Sequence, residues 1–227
     1  MQLYIGNKNY SSWSMRPWVL LRNADIAFEE VVLRFDSMAP GSAFKNAIEK
    51  ISPTGRVPCL IDDGLVVWDT LAIAEYLAEK YPEKTLWPVD VKARARARSV
   101  CAEMHSGFSA LRSACMMNIE ADLPHIGALA LRDKAAVRAD VARLEAMWCE
   151  LLAQFGGPYL FGERFGIADA FFAPVCMRLK TYHLSQNPTI RAYVAHICTT
   201  PGVAQWIEQA LRENDFRDFE EPYRLHA

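Results

Sequence analysis

The stretch Ser52-Pro-Thr-Gly-Arg-Val-Pro-Cys-Leu-Ile-Asp-Asp-Gly-Leu-Val-Val-Trp68 decides the fold of this chain. Apolar, partly β-branched runs at 57–61 and 65–68 predict two strands, and Asp62-Asp63-Gly64 between them predicts a tight turn. Pro58 stands at or near a strand start, where a missing amide donor is tolerated, and the bond before it is a candidate for the cis form. The stretch therefore predicts a β-hairpin.

Further elements are predicted on both sides of the hairpin. Pro17 is compatible with the first turn of a helix, and Tyr81-Pro82 is a stop signal for another. The predicted elements are, in chain order, strand 2–6, helix 14–24, strand 28–35, an irregular helix near 44–51 and, after the hairpin, helix 70–80. The order β-α-β-α-β-β-α predicts an α/β domain over residues 1–80 whose first two strands are parallel neighbours.

The rest of the chain has a different character. Residues 81–92 hold Pro82 and Pro88 and little periodicity, which is typical of a linker. Only 5 of the 31 alanines lie in residues 1–71, so helix-favouring composition rises after that point. An all-α domain is therefore predicted over residues 93–227, and the charged end 213–221 is interpreted as a solvated tail. Its predicted helices cover about 93–118, 133–155, 167–181, 188–198 and 201–213.

Composition excludes several classes of protein. Hydrophobic residues make up 52% of the 227, which is typical of a globular chain. A net charge of -2 supplies no broad basic face, so we expect no nucleic-acid partner. The sequence contains no apolar stretch of 18 residues and no leader-like start, so we expect a cytoplasmic protein without a membrane segment. The six cysteines are widely spaced and predict free thiols and no metal site.

Three local motifs accompany this order of elements. They are Val57-Pro58 before the hairpin, Asp69-Thr70-Leu-Ala-Ile-Ala-Glu-Tyr-Leu after it, and Phe165-Gly-Ile-Ala-Asp169 with Pro174. On these motifs the chain resembles the cytosolic glutathione S-transferase family over nearly its whole length. The resemblance implies a thioredoxin-like N-terminal domain, an all-helical C-terminal domain that contributes the hydrophobic substrate site, glutathione as co-substrate, a small hydrophobic electrophile and a homodimer.

The stretch Ser11-Ser-Trp-Ser-Met-Arg16 lies between the first strand and the first helix. The family keeps its catalytic hydroxyl or cysteine five residues before an arginine, so the resemblance implies Ser11 as the catalytic residue, with Ser12 as the nearest alternative. The stretch is also similar to the Ser-Ser-Cys-x-x-Arg run of the zeta class, with Trp13 in place of the cysteine. A donated hydroxyl proton and the amides of a helix start both favour a thiolate. The alternative is that the serines only cap the helix.

The resemblance also implies a glutathione site. The main chain of Val57, before Pro58, would pair with the cysteinyl part of glutathione, as an added strand does. Asp69 and Thr70 would hold the γ-glutamyl end at a helix start, a role that is compatible with simple capping. Arg56 would meet the glycyl carboxylate, or it is a surface charge.

A second-substrate site is implied where the first loop meets the first helix of the helical domain. Apolar residues at helical spacing more often belong to a core, and this alternative stays open for most of the set. His105 and Arg112 are seven residues apart on one predicted helix, so they would bind an anionic substrate or form an interdomain contact. The set is Trp13, Met104, His105, Phe108 and Arg112.

Asp169 is predicted to be structural. At the third position of its helix it can accept the backbone N–H of Gly166, which is half of a capping box.

Three functions stay open at this point. The first is a glutathione transferase that uses a serine hydroxyl to activate the thiolate for attack on small hydrophobic electrophiles. The second is a glutathione-dependent cis-trans isomerase of the maleylacetoacetate or maleylpyruvate type, which Ser11, Ser12 and Arg16 favour and Trp13 does not. The third is a non-catalytic glutathione-binding protein with the same fold, because a fold does not determine chemistry.

Overall fold

The computed structural model describes residues 1–223. Its first part contains one four-stranded sheet in the order β2-β1-β3-β4. Strand β1 pairs in parallel with β2 and antiparallel with β3, and β3 pairs antiparallel with β4. The predicted order of elements, the parallel pair and the hairpin are confirmed. The elements are β1 (Gln2–Ile5), α1 (Ser12–Asn23), β2 (Glu29–Val32), α2 (Ala43–Ile48), β3 (Cys59–Asp62), β4 (Leu65–Val67) and α3 (Thr70–Lys80).

The part that follows is helical. The prediction of a single helix over 93–118 is wrong in one respect. One helix ends at Ser106 and another begins at Ser109, and Phe108 between them adopts a φ of 54°. One helix escaped prediction because Pro124 suggested a break, whereas it occupies the first helical position, which needs no amide donor. The helices are α4 (Val91–Ser106), α5 (Ser109–Ala114), α6 (Pro124–Asp133), α7 (Ala135–Phe155), α8 (Ile167–Thr181), α9 (Pro188–Thr199) and α10 (Pro201–Glu213).

Helix α1 lies between the sheet and the helical part. It contacts β1 and α3 on one side and α8 and α10 on the other. Residues 14–21 are all buried, and the ring of Trp18 meets that of Trp206 edge-on, with 5.2 Å between ring centroids. The loop that leads into α1 is therefore held at the junction of the two parts.

Asp169 has the geometry expected of a structural residue. Its carboxylate accepts the predicted hydrogen bond from the backbone N–H of Gly166 at 3.0 Å. It also accepts hydrogen bonds from the backbone N–H of Leu160 at 3.0 Å and from the hydroxyl of Tyr193 at 2.9 Å. Burial raises the pKa of Asp169 to about 6. The side chain thus joins the loop before α8 and helix α9 to the start of α8.

The segment after α10 is not a solvated tail, so that interpretation is wrong. Glu221 is completely buried and accepts a hydrogen bond from the hydroxyl of Tyr10. Glu213 and Asp215 accept hydrogen bonds from the loop after β1. Three acidic side chains of this segment, Glu213, Asp215 and Glu221, therefore meet donors near the other end of the chain, whereas Asp218 is exposed.

No helix within residues 1–223 is long and apolar enough to cross a membrane. In the same residues, His, Cys, Asp and Glu side chains form no group that could hold a metal ion. All six cysteines are free thiols, as predicted.

Candidate active site

A partly open cavity of about 460 Å³ lies between the start of α1, the segment before β3 and the helical part. It brings together Ser11, Ser12 and Trp13 from the first of these, Arg56 and Val57 from the second, and Arg112 from α5. Six of the predicted residues do not line it, namely Asp69, Thr70, Met104, His105, Phe108 and Pro58, the last of which is buried next to Val57. The remaining lining residues are Tyr10, Phe35, Met38, Phe44, Lys45, Gly55, Met116, Met117, Arg178 and Glu220.

The two candidate serines have different hydrogen-bond partners. Ser11 occupies the N-cap position of α1 without a side-chain capping bond, and its hydroxyl donates to Ser14 Oγ at 2.7 Å. Ser14 Oγ also accepts from the backbone N–H of Gly6 at 3.1 Å. Ser12 Oγ instead accepts a hydrogen bond from Arg178 Nη2 at 3.2 Å. The hydroxyl proton of Ser12 is not used in that bond and can point into the cavity.

The segment before β3 forms the opposite wall. The Val57–Pro58 bond is cis, Pro58 is buried and Val57 is half-buried at the cavity. Arg56 is exposed beside it. Lys45 Nζ donates to the carbonyl oxygen of Gly55 at 2.8 Å, so a second cation lies at the same wall.

Asp69 and Thr70 lie at the start of α3, outside the cavity lining. Asp69 Oδ1 accepts from the backbone N–H of Leu71 at 3.0 Å and therefore caps the helix. Its Oδ2 lies 3.1 Å from His105 Nε2, which joins the two parts of the chain. Thr70 is buried, and its hydroxyl is 3.5 Å from Arg16 Nη1.

Trp13 is the centre of a cluster of cationic and aromatic groups. The guanidinium carbon of Arg16 lies 4.1 Å from the centroid of the Trp13 ring, and that of Arg112 lies 5.5 Å from it. The His105 ring meets the same ring edge-on at 5.1 Å. The prediction that His105 and Arg112 share one helix is wrong, because His105 belongs to α4 and Arg112 to α5. Trp13 nevertheless contacts both side chains. Met104 and Phe108 are buried in the hydrophobic core.

Arginines make the helical wall of the cavity cationic. Arg178 donates to the carbonyl oxygen of Arg112 at 3.3 Å, to that of Cys115 and to Ser12. The Nε atom of Arg112 is buried and has no hydrogen-bond partner within residues 1–223. In that part of the chain no carboxylate forms an ion pair with Arg16, Arg112 or Arg178. Glu220 also lines the cavity, and its charge acts on Arg178, so Arg112 is the residue of this wall that is better placed to bind an anion.

The pKa values of the buried arginines reflect this environment. Burial, followed by the nearby charges of Arg112 and Arg178, lowers the pKa of Arg16 to about 9. Burial lowers the pKa of Arg178 to about 10. Both side chains remain cationic at neutral pH although burial makes the charged form costly. Pairing with an anionic ligand would offset this free-energy cost.

Arg178 was not among the predicted site residues. The sequence did hold a signal, because Arg178 is the only charged residue between 170 and 179 in an otherwise apolar helix. A lone charge in such a helix indicates either a buried partner or a site.

Comparison with known proteins identifies the family. The model of the glutathione S-transferase N-terminal domain matches residues 10–80, and that of the C-terminal domain matches residues 95–209. The maleylacetoacetate isomerase of Pseudomonas aeruginosa is 30% identical, over 77% of this chain and 79% of that protein. Glutathione S-transferase 1 of Dianthus caryophyllus is also 30% identical, over 77% and 75%.

Solved structures agree with this. A Burkholderia glutathione transferase homologue with bound glutathione is 26% identical, with a TM-score of 0.67 over 94% of this chain and 98% of that one. A bacterial maleyl pyruvate isomerase of the zeta class shares the fold at 22% identity, with a TM-score of 0.71 over 95% and 100%. The thioredoxin-like plus helical fold is thereby confirmed, and the chain belongs to the glutathione S-transferase family of enzymes.

Proposed function

We propose that this enzyme ionises the thiol of glutathione beside Ser11 and Ser12 and directs the thiolate at a small hydrophobic electrophile that carries a carboxylate. The observation that carries the proposal is the arginine wall. Arg112 and Arg178 face the cavity that contains both serines, and neither forms an ion pair with a carboxylate within residues 1–223. Met116 and Met117 supply apolar surface in the same cavity.

Glutathione would lie along the wall opposite the arginines. The main chain of Val57, before cis Pro58, would pair with its cysteinyl part, and Arg56 would meet the glycyl carboxylate. The γ-glutamyl end would lie at the start of α3, where Asp69 would face its ammonium group and the Thr70 helix turn its carboxylate. This orientation directs the sulfur toward the start of α1.

The hydrogen bonds favour Ser12 as the main donor to the sulfur. The hydroxyl of Ser11 is engaged with Ser14, whereas that of Ser12 accepts from Arg178 and keeps its proton for the ligand. A cation that donates to a hydroxyl oxygen makes the hydroxyl a stronger donor. The thiol proton passes to water through the open side of the cavity, and the amides at the start of α1 further stabilise the anion.

A second function, glutathione-dependent cis-trans isomerisation, is favoured by the presence of two cavity arginines. A maleyl-type diacid would place its carboxylates on Arg112 and Arg178. The thiolate would add to one carbon of the double bond, and the displaced electron pair would move to the conjugated carbonyl. The former carbon–carbon double bond is then a single bond and can rotate. The electron pair would afterwards return from the carbonyl to restore the double bond as the C–S bond breaks. The relatives named maleylacetoacetate isomerase support this alternative.

Serine variants test the thiolate step. A hydrogen bond to a charged group contributes about 1.5–3 kcal/mol, so Ser12→Ala should raise the pKa of bound glutathione by about one unit or more. Ser11→Ala should have a smaller effect. The measurement is the pH dependence of thiolate absorbance in the glutathione complex. A wild-type thiol pKa equal to that of free glutathione, unchanged in both variants, would favour the non-catalytic alternative.

Arginine variants test the class of electrophile. Arg112→Met should lower kcat/KM for a carboxylated electrophile about tenfold, because one charge-assisted hydrogen bond is lost. It should leave turnover of a neutral aryl halide close to that of the wild type. Arg212→Met, at an exposed position of α10, is the matched control. Equal losses on both electrophiles would contradict carboxylate recognition.

Product analysis with a maleyl-type diacid separates the two reactions. A trans product with glutathione regenerated identifies the isomerase, and a stable glutathione adduct identifies the transferase. The homodimer and the cytoplasmic location stay predictions from the resemblance and the composition.

A further inference from the structure

The loop between β1 and the candidate serines is held by acidic side chains from the end of the described chain. Asn7 Nδ2 donates to Asp215 Oδ2 at 2.7 Å. The backbone N–H groups of Lys8 and Asn9 donate to the two carboxylate oxygens of Glu213 at 2.8 and 3.2 Å. The hydroxyl of Tyr10 donates to Glu221 Oε1 at 2.5 Å. We call residues 213–221 the C-terminal strap.

These side-chain contacts stabilise a loop that contains no helix or strand. Residues 7–10 are all buried although they belong to no helix or strand, and each of them has a partner in the strap. Trp206 of α10 adds a hydrogen bond from its indole N–H to the carbonyl oxygen of Lys8 at 3.0 Å. Residues about 200 positions away therefore help to hold the loop, together with Phe35, Ile119 and Glu120, whose backbone N–H groups donate to the side chains of Asn7 and Asn9.

The loop continues directly into the candidate serines. The backbone N–H of Ser11 donates to the carbonyl oxygen of Asn7 at 2.8 Å, and that of Ser12 donates to the carbonyl oxygen of Tyr10, also at 2.8 Å. A shift of the loop would therefore move both hydroxyls. Catalytic hydrogen bonds are sensitive to displacements of about 1 Å, so the position of the loop matters for the reaction.

We propose that the C-terminal strap positions the thiolate-activating serines, and that Glu221 is a positioning residue that acts through Tyr10. The proposal rests on the role of Ser11 and Ser12 proposed above. The phenol of Tyr10 is a fixed donor here, because burial and its hydrogen bond to Glu221 raise its pKa. Its hydroxyl is thus committed to the strap rather than to the sulfur of glutathione.

Two near-isosteric variants test the proposal. Glu221→Gln removes the charge, and Tyr10→Phe removes the donated proton. Each should raise the apparent pKa of bound glutathione by about half a unit or more, which lowers kcat/KM below that pKa about threefold. Tyr10→Phe should shift the pKa at least as much as Glu221→Gln, because the glutamine amide oxygen can still accept the hydrogen bond from Tyr10. Glu208→Gln, on the exposed face of α10, is the control and should leave the pH profile unchanged.

The thermal midpoint is measured in parallel, so that loss of stability is separated from loss of positioning. Variants that lower the midpoint but keep the wild-type pH profile and kcat would overturn the proposal and leave a structural role only. A shift with Glu221→Gln but none with Tyr10→Phe would overturn the route through Tyr10.

The pH profiles of the serine variants, measured under the same conditions, distinguish failure of the strap proposal from failure of the proposed function. If Ser11→Ala and Ser12→Ala shift the pH profile and the strap variants do not, the strap proposal alone fails. If the serine variants shift nothing, the proposed function fails, and with it the strap proposal, whatever the strap variants do.

Discussion

Replacing Asp169 with alanine should destabilise the fold without altering the affinity for glutathione. The carboxylate accepts hydrogen bonds from Leu160, Gly166 and Tyr193, and the side chain is only 1% exposed. Three donors left unpaired, two of them buried and the third partly buried, cost about 2 kcal/mol each. Removing a carboxylate whose pKa is raised from 3.8 to about 6 relieves about 3 kcal/mol at neutral pH. The net loss in the free energy of unfolding is therefore about 3 kcal/mol.

A loss of this size lowers the thermal midpoint of a chain of this length by about 6–12 °C. Thermal unfolding followed by circular dichroism measures the midpoint, and calorimetric titration well below it measures glutathione binding. Asp133→Ala is the control, since Asp133 is exposed and pairs only with the neighbouring Arg132 among the described residues. An unchanged midpoint together with weakened glutathione binding would refute the reasoning.

The pH dependence of the same variant provides a second check. The pKa of Asp169 is raised to about 6 in the folded chain, so between about pH 4 and 6 the folded state binds a proton that the unfolded state has released. The wild type should therefore gain stability from this group as the pH falls through that window. Because the variant lacks the group, the difference in midpoint between the two proteins should widen from pH 6 to pH 4. A difference that narrows would contradict the raised pKa.

Three further outcomes follow from the packing. Gly127→Ala should lower the thermal midpoint sharply, because an added Cβ would lie 1.8 Å from the carbonyl oxygen of Tyr182; a midpoint within 2 °C or so of the wild type would contradict it. Trp13→Ala should weaken discrimination in favour of carboxylated electrophiles, measured as the ratio of kcat/KM for carboxylated and neutral substrates, since the ring contacts both Arg16 and Arg112. Iodoacetamide should leave activity intact at neutral pH, because burial raises the pKa of Cys59, Cys101, Cys115, Cys176 and Cys198; loss of activity in step with alkylation of one of these five thiols, after excess reagent is removed, would contradict it.

The hairpin was predictable because its signals are local. Asp63 and Gly64 adopt φ values of 48° and 81°, and residues of these types tolerate such values, so composition alone locates the turn. The sequence does not assign the role of Pro124 in the same way, since proline is compatible with both a helix start and a helix end. The break before Phe108 did have a signal, because Gly107 directly follows α4 and glycine commonly ends a helix, whereas the positive φ of Phe108 itself is uncommon for a bulky residue.

The candidate site was predictable only in part, for a related reason. Ser11, Ser12 and Val57 belong to short motifs that keep their spacing, and the cavity brings them together. Arg178 and Glu221 reach the loop from remote elements, and no periodicity in the sequence indicates which side chains meet across such distances. The prediction that residues 213–221 are solvated was wrong because an acidic side chain can be buried where it accepts hydrogen bonds from buried donors.

The position of α1 has a consequence for protein engineering. Its buried face is covered by the sheet on one side and by α8 and α10 on the other, so neither half of the chain encloses the helix alone. A chain cut between residues 81 and 92 should therefore yield two fragments that are insoluble or poorly structured when expressed separately and that reassociate when co-expressed. Recovery of glutathione binding on co-expression, and in neither fragment alone, would be the signal of this reassociation.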